Sequence, residues 1–284
     1  MSNYITQIHI HKLLHLENLD ILVCEEKKKH LIITGRNGSG KTVLLNAIAK
    51  LWEDRNRSPE RAYLEDLPIP FLRVDFNDLS SCIRSDDFIF AHYKARLYPQ
   101  MEEPDSPSKP ILKGRNSDES YSDQFIKFLA DLKMQAALAF MNKETDRTNQ
   151  IEQWFVHFEA LLKEIFNDET LRLEFITSDY TFKIHTKGKE PFKFTQLADG
   201  FSAILEIVSD LILKMQNGNS LSFKYNAKGI VLIDEIETHL HLELQRLILP
   251  MLTRIFPNIQ FIVTTQSPFV LNSLGDAVAF DLGF

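Results

Sequence analysis

Residues 31–42 read Leu-Ile-Ile-Thr-Gly-Arg-Asn-Gly-Ser-Gly-Lys-Thr, and no other stretch limits the possible folds as tightly. Leu31 to Thr34 form a short apolar run that reads as a buried strand, and Val43 to Trp52 read as a helix. Between them Gly35, Arg36, Asn37, Gly38, Ser39, Gly40, Lys41 and Thr42 fit G-x-x-x-x-G-K-[ST], in the strand–loop–helix context that a phosphate-binding loop requires. The glycines allow a tight turn that brings backbone N–H groups to an anion. The helix N-terminus adds about half a positive charge. Lys41 can reach β- and γ-phosphates, and the Thr42 hydroxyl can bind Mg²⁺.

With 284 residues the chain can bury a sizeable core, and its net charge of −7 argues against a general polyanion binder. Lys27, Lys28 and Lys29 are the one basic triplet; between two predicted strands they read as a solvated turn. Cys24 and Cys82 have no paired spacing and read as reduced thiols. No apolar run approaches the roughly 20 residues of a membrane span, and the N-terminus lacks a leader pattern. The expectation is a cytoplasmic protein with no direct membrane insertion.

Residues 4–10 alternate and 19–23 are apolar, so both read as strands feeding 31–34; 71–76 and 88–92 are further strand candidates. Residues 99–110 carry Pro99, Pro104, Pro107 and Pro110, which predicts an exposed, mobile loop reaching about Ser120. Two amphipathic helices follow at 121–141 and 149–167, separated by Asn142 to Thr148. Their aromatic stripe reads as core rather than as a base-stacking platform. Residues 171–176, 180–185 and 192–194 suggest small antiparallel strands. Asp199–Met215 reads as a helix, Ile230–Asp234 as a strand, His241–Ile255 as a helix and Ile259–Thr264 as the last strand, with a short helix from Pro268. The alternation at the end predicts a parallel sheet.

Ile230-Val231-Leu232-Ile233-Asp234-Glu235 is an apolar strand ending in two acids. Ligands of parallel sheets sit beyond the carboxyl ends of the strands, which puts Asp234 beside the phosphate loop to hold Mg²⁺ and Glu235 in place to polarise water.

These motifs resemble the ABC-type ATPase heads of SMC proteins, of the RecF/RecN repair proteins and of OLD-like and other bacterial defence ATPases. Leu197-Ala198-Asp199-Gly200-Phe201-Ser202 resembles the Leu-Ser-Gly-Gly-Gln signature. Asp234-Glu235-Ile236-Glu237-Thr238-His239-Leu240-His241 resembles the Walker B and D-loop of the OLD-like group, with Thr238, His239, Leu240 and His241 as the D-loop. Ile262-Val263-Thr264-Thr265-Gln266-Ser267-Pro268 resembles the switch strand. The likeness covers about 1–52 and 190–284. It implies an α/β P-loop ABC-ATPase fold with an antiparallel β subdomain, a mostly parallel core sheet and an inserted loop and helical lobe at 99–170, all within one domain, 1–284. It also implies ATP as ligand and a homodimer that sandwiches two ATP molecules, each held by one subunit's phosphate loop and the other's signature.

The chain departs from that pattern in places. Asp199 replaces a glycine and reads equally as an N-cap, Phe201 replaces a polar residue, and Gln266 stands where a switch histidine is expected. A Q-loop glutamine has no clear place: Gln100 falls in the proline loop, and His92 and Arg96 mark the neighbourhood. His239 and His241 could mimic a metal pair, but D-loop residues at a dimer interface fit better. Lys12 or His15 are the candidate contacts for the base. No long coiled coil fits between Lys41 and Gly200, and the chain ends soon after 259–264, so no fused nuclease is expected. The leading expectation is therefore an ATPase with Glu235 and Gln266 as catalytic residues, switching a separate effector protein in defence or DNA repair, with DNA as a possible ligand. A transporter's nucleotide-binding subunit and an SMC-like DNA-tethering clamp are the alternatives.

Overall fold

The alternating residues at the start of the chain form an antiparallel hairpin, and the apolar runs that follow form a separate parallel sheet. The computed structural model describes residues 4–57, 72–77, 88–95, 101–104, 106, 109, 120–216 and 225–283. In chain order the elements are β1 (Ile5–Leu13), β2 (Leu16–Leu22), β3 (Leu31–Thr34), α1 (Lys41–Arg57), β4 (Leu72–Phe76), β5 (Ile89–Tyr93), α2 (Phe125–Met141), α3 (Thr145–Phe166), β6 (Arg172–Ile176), β7 (Thr181–His185), β8 (Phe192–Lys193), α4 (Asp199–Met215), β9 (Gly229–Ile233), α5 (Leu242–Ile255), β10 (Ile259–Thr264), α6 (Pro268–Leu271) and β11 (Val278–Asp281). They fall into two compact units, Met1–Arg96 with Asn226–Phe284, and Leu97–Tyr225. The fold class is α/β, with antiparallel and parallel sheets. No helix among the described residues is long and apolar enough to cross a membrane.

In the first unit, β2-β1-β4 form an antiparallel sheet and β11-β3-β10-β9-β5 a parallel one. The hairpin strands are longer than expected because β1 and β2 meet in a two-residue turn, with Leu13 opposite Leu16. Leu14 takes the turn at a φ of +56°, a conformation that glycine or asparagine would have signalled. β11 pairs with β3 and was not anticipated; Ile259–Thr264 is therefore not the last strand. Every residue of β9 and β10 is buried, as strands covered on both faces must be. β9 starts at Gly229, where a β-carbon would collide with the Ile89 carbonyl of its neighbour β5.

Gln260 and Thr264 are the polar members of this buried set, and Gln260 lies at the far end of β10 from the glycine loop. Its Oε1 accepts from Ile5 N–H at 2.7 Å, and its Nε2 donates to the carbonyls of Ile5 at 2.9 Å and Lys29 at 2.8 Å. One side chain thereby joins β10 to the first strand of the other sheet with its hydrogen bonds satisfied. α1 covers the core with Trp52, whose ring stacks on Phe90 at 4.9 Å. The basic triplet is engaged locally: Lys27 and Lys29 pair with Asp276, and Lys28 donates to Ile259 O.

In the second unit, α2 and α3 form an antiparallel hairpin joined at Asn142–Glu144, and β6-β7-β8 form a small antiparallel sheet. The second helix begins at Thr145, earlier than expected, and ends on Asn167 in the left-handed conformation. The aromatic stripe is core: Phe125 meets Phe158 edge-on at 5.3 Å, and Trp154 lies 5.4 Å from Phe128 and 5.3 Å from Phe158. At 103–104 the proline-rich segment is not the exposed loop expected. Glu103 accepts from Lys193 Nζ at 2.5 Å and from Thr195 Oγ1 at 3.1 Å, and Pro104 is buried. Pro99, Pro107 and Pro110 lie outside the described residues, as does Cys82.

α4 is buried almost along its whole length and carries three charges on successive turns, Glu206, Asp210 and Lys214. Lys214 Nζ pairs with Asp210 at 2.7 Å and 2.9 Å, and Tyr121 N–H donates to Asp210 Oδ1 at 2.7 Å. Glu206 has no such counter-ion among the described residues. Burial, and then the neighbouring Asp210 charge, push its carboxyl up from 4.5 to about 7. Between those two values the folded chain keeps a proton that the unfolded chain gives up. This contribution to stability is complete below 4.5 and is lost as pH rises through about 7. Glu206→Gln should therefore gain stability relative to wild type as pH rises from 5 to 8, by on the order of 2 kcal/mol. Urea unfolding at the two pH values measures the difference; a difference that does not change with pH would contradict the assignment.

Candidate functional site

The carboxyl ends of β3, β10 and β9 lie side by side. Thr264 of β10 is opposite Ile33 of β3, and Val263 is opposite Ile32 of β3 on one side and Ile233 of β9 on the other. The loop after β3, the acids after β9 and the residues after β10 consequently share one edge of the parallel sheet.

The loop runs from Gly35 to Lys41, with Gly35, Gly38 and Gly40 at φ values of +141°, +82° and +97°. These are conformations that a side chain would strain. A β-carbon on Gly40 would come within 3.0 Å of Leu16 Cδ1 and 3.6 Å of the His15 ring, so the β1–β2 turn lies against the loop. Arg36, Asn37, Gly38 and Thr42 are exposed, while Ser39, Gly40 and Lys41 are buried. Lys41 Nζ donates to the carbonyls of Gly35 at 2.7 Å and Arg36 at 3.1 Å, which holds the ammonium across the loop. Ser39 Oγ is buried without a hydrogen-bond partner. A cation, a buried unsatisfied hydroxyl and a backbone curled by three glycines form a cradle that suits an anion.

Asp234 and Glu235 follow β9 directly. Asp234 N–H donates to Tyr93 O at 2.8 Å, and the buried Asp234 carboxylate accepts from Thr264 Oγ1 at 2.6 Å. The same Thr264 Oγ1 accepts from Glu235 N–H at 2.7 Å. One hydroxyl therefore orients both acids, donating to the first and accepting from the second. Glu235 sits at a φ of +48°, half-buried, and its carboxylate has no hydrogen-bond partner among the described residues. Left-handed backbone at a non-glycine residue is uncommon and concentrates at functional sites.

Gln266 is exposed, and its Nε2 donates to Asn37 Oδ1 of the loop. Ser267 caps α6, its Oγ accepting from Phe269 N–H at 3.2 Å, so Gln266 is not needed as a cap of the Ser-Pro turn. Thr238 and Leu240 continue the turn after β9. Their N–H groups donate to Glu235 O at 2.9 Å and Glu237 O at 3.0 Å, and His239 and His241 are exposed. Lys12 lies on β1 in an exposed ion pair with Glu17 at 2.8 Å, and that hydrogen bond raises its pKa. His15, not Lys12, is the residue that the fold brings to the loop. His92 is on β5 opposite Leu232, and Arg96 and Gln100 lie outside the described residues.

The signature-like segment belongs to the second unit. Asp199 opens α4, and the N-cap position falls on Ala198, so the N-cap reading of Asp199 is corrected by one residue. Asp199 and Ala198 are exposed, Leu197 and Phe201 half-buried, Gly200 and Ser202 buried. Ser202 N–H donates to Ala198 O at 3.0 Å. Phe201 stacks flat on Phe166 at 4.5 Å, which explains an aromatic where the resemblance expects a polar residue. Thr264 and Glu237 were not singled out from the sequence. A hydroxyl at the end of a buried strand and an acid two residues past Glu235 are the signals that mark them.

The chain matches the family model described as "AAA domain, putative AbiEii toxin, Type IV TA system" over residues 75–272. It is 29% identical over 203 residues to the Retron Ec83 probable ATPase of Escherichia coli, across 70% of this chain and 36% of the relative. It is 25% identical over 300 residues to the Septu protein PtuA of Bacillus mycoides (strain KBAB4), across 97% of this chain and 40% of the relative. The chain thus spans well under half the length of either relative. An SMC head domain from Thermotoga maritima aligns over 96% of this chain and 92% of that one, with a TM-score of 0.46 and 12% identity. The matched span includes the acids after β9, the switch-like strand and all of the second unit, and on that match the chain belongs to the AAA-domain family of the AbiEii type.

Proposed function

We propose that this chain binds ATP with Mg²⁺ and hydrolyses it slowly, acting as a nucleotide-driven dimer switch for a separate effector protein in bacterial anti-phage defence. The observation that carries this reading is the meeting of a glycine cradle, two oriented acids and Gln266 at one edge of the parallel sheet. Relatives named as a retron probable ATPase and a Septu protein support the setting.

In this reading the loop N–H groups and Ser39 hold phosphate oxygens, and Lys41 exchanges its two loop carbonyls for the β/γ-phosphates. Thr42 and Asp234 would hold a Mg²⁺, whose charge would offset that developing on the phosphates. The Thr264 hydroxyl keeps the Asp234 carboxylate aimed. Glu235, with a carboxylate free of other partners, orients the attacking water. Gln266 donates a neutral hydrogen bond to the γ-phosphate, weaker than one from a charged histidine, so turnover is slow. His15 lies where the base leaves the cradle. The exposed N-terminus of α4 at Asp199, with Gly200 allowing close approach, meets the nucleotide of a second copy, and Thr238–His241 line the same interface. Phosphoryl transfer needs little beyond such positioning.

Lys41→Ala should abolish tight Mg²⁺-ATP binding by calorimetry; wild-type affinity in that variant would remove the loop from the site. Glu235→Gln should bind ATP normally and hydrolyse it on the order of 10²–10⁴ times more slowly. It should then accumulate as a dimer, which light scattering with ATP detects, and a monomer in every nucleotide state would end the dimer-switch reading. Gln266→His should raise phosphate release about tenfold, equivalent to about 1.4 kcal/mol of barrier, and Gln266→Ala should lower it. Equal rates for wild type and the alanine variant would exclude Gln266 from γ-phosphate contact.

A further inference from the structure

The turn after β9 carries an acid that this scheme leaves unused. Glu237 Oε2 accepts from Thr265 Oγ1 at 2.7 Å, and its Oε1 accepts from the Gln266 backbone N–H at 2.6 Å. Both carboxylate oxygens are therefore committed to two successive residues just past β10. The second of these residues carries the side chain that touches Asn37 of the phosphate loop. The turn that presents Glu237 is itself held. Ile236 N–H donates to Thr264 O at 3.2 Å, Glu235 N–H to Thr264 Oγ1 at 2.7 Å, and Leu240 N–H to Glu237 O at 3.0 Å. Glu235 and His239, at φ values of +48° and +66°, bracket the turn on either side.

We propose that Glu237 is a positioning residue: it clamps Gln266 in the orientation that faces the phosphate loop and ties that orientation to the Glu235–Leu240 turn. The inference rests on the ATPase reading for its consequence, though the clamp itself is geometric. Gln266 is exposed and follows the end of its strand, so it has little packing of its own to fix it. An ionised acceptor on its N–H supplies a hydrogen bond of about twice the ordinary strength, and the Thr265 hydroxyl bonded to the other oxygen fixes the direction of approach. The adjoining Thr238–His241 segment then cannot move without pulling on Gln266. A displacement at the phosphate loop is passed the same way in reverse, through Asn37, Gln266 and Glu237.

Glu237→Ala and Glu237→Gln test the clamp. The glutamine variant can keep its Oε1 on the Gln266 N–H and turn its N–H₂ to the Thr265 hydroxyl, which accepts as well as donates, so it loses the charge but keeps the connection. Hydrogen exchange read by NMR should show the Gln266 amide exchanging at least tenfold faster in the alanine variant and by a smaller factor in the glutamine variant, with the amides of Ile259–Val263 unchanged. Phosphate release by the alanine variant should show kcat lowered ten- to a hundredfold, as a reacting group misplaced by about 1 Å would give, with KM for Mg²⁺-ATP within about twofold of wild type. Glu237→Ala combined with Gln266→Ala should be no slower than the slower single variant, because the two act as one unit. Unchanged exchange at Gln266, multiplicative losses in the double variant, or faster exchange across all of β10 would each overturn the proposal, the last by reducing Glu237 to a general stabiliser. If wild-type protein binds ATP but does not turn it over, or does neither, the ATPase reading fails, and the exchange measurement alone then decides whether the clamp exists.

Discussion

β10 runs parallel between β3 and β9, and its register determines where every group of the candidate site lies. Thr264 opposite Ile33 brings the end of β10 level with the start of the glycine loop, and Val263 opposite Ile233 brings it level with Asp234. A slip of one residue would turn Thr264 to the other face of the sheet and leave Asp234 buried without its hydroxyl partner. Burial of all six residues of β10, and the three hydrogen bonds of Gln260, oppose such a slip. The register is secured far from the site and read out at the site.

The division of labour among the polar groups follows from that geometry. Thr264 Oγ1 has one proton and two lone pairs, and it uses them in opposite senses on two neighbouring acids. Asp234 is largely removed from water, and the donor on its oxygen fixes where the carboxylate points. The Glu235 carboxylate has no such donor among the described residues. The unusual backbone of Glu235 accompanies the different settings of these two consecutive side chains.

The parts of this arrangement that were legible in the sequence are those in which local pattern and chemistry coincide. Gly35–Gly40 must be a loop between strand and helix, and an apolar strand ending in Asp234-Glu235 must present those acids at a sheet edge. The β1–β2 turn was not legible because Leu14 and His15 are not turn residues; the pairing of the flanking strands imposes the turn on them. β11 was missed because four residues between glycines carry no periodicity, and only β3 gives them a partner. Nothing local marks the role of Gln260, since its partners at Ile5 and Lys29 are more than 200 positions away. Glu237 was read only as part of a D-loop-like string. Its acceptors' donors lie in another segment, and no spacing rule reaches across that distance.

The strand order carries a consequence for how the molecule is made. β3, which launches the glycine loop, has β10 on one side and β11 on the other, so both of its sheet neighbours come from residues 259–281. During vectorial synthesis the loop's own strand emerges early and then waits, unpaired, while more than 200 residues follow it out. Pairings of such long sequence separation are slow to form, because the chain closure that they require precedes any reward from contact. An unfinished or truncated copy therefore has the glycine-rich sequence but no sheet to shape it into a cradle. The shape of the cradle is thereby a property of a chain synthesised past residue 281.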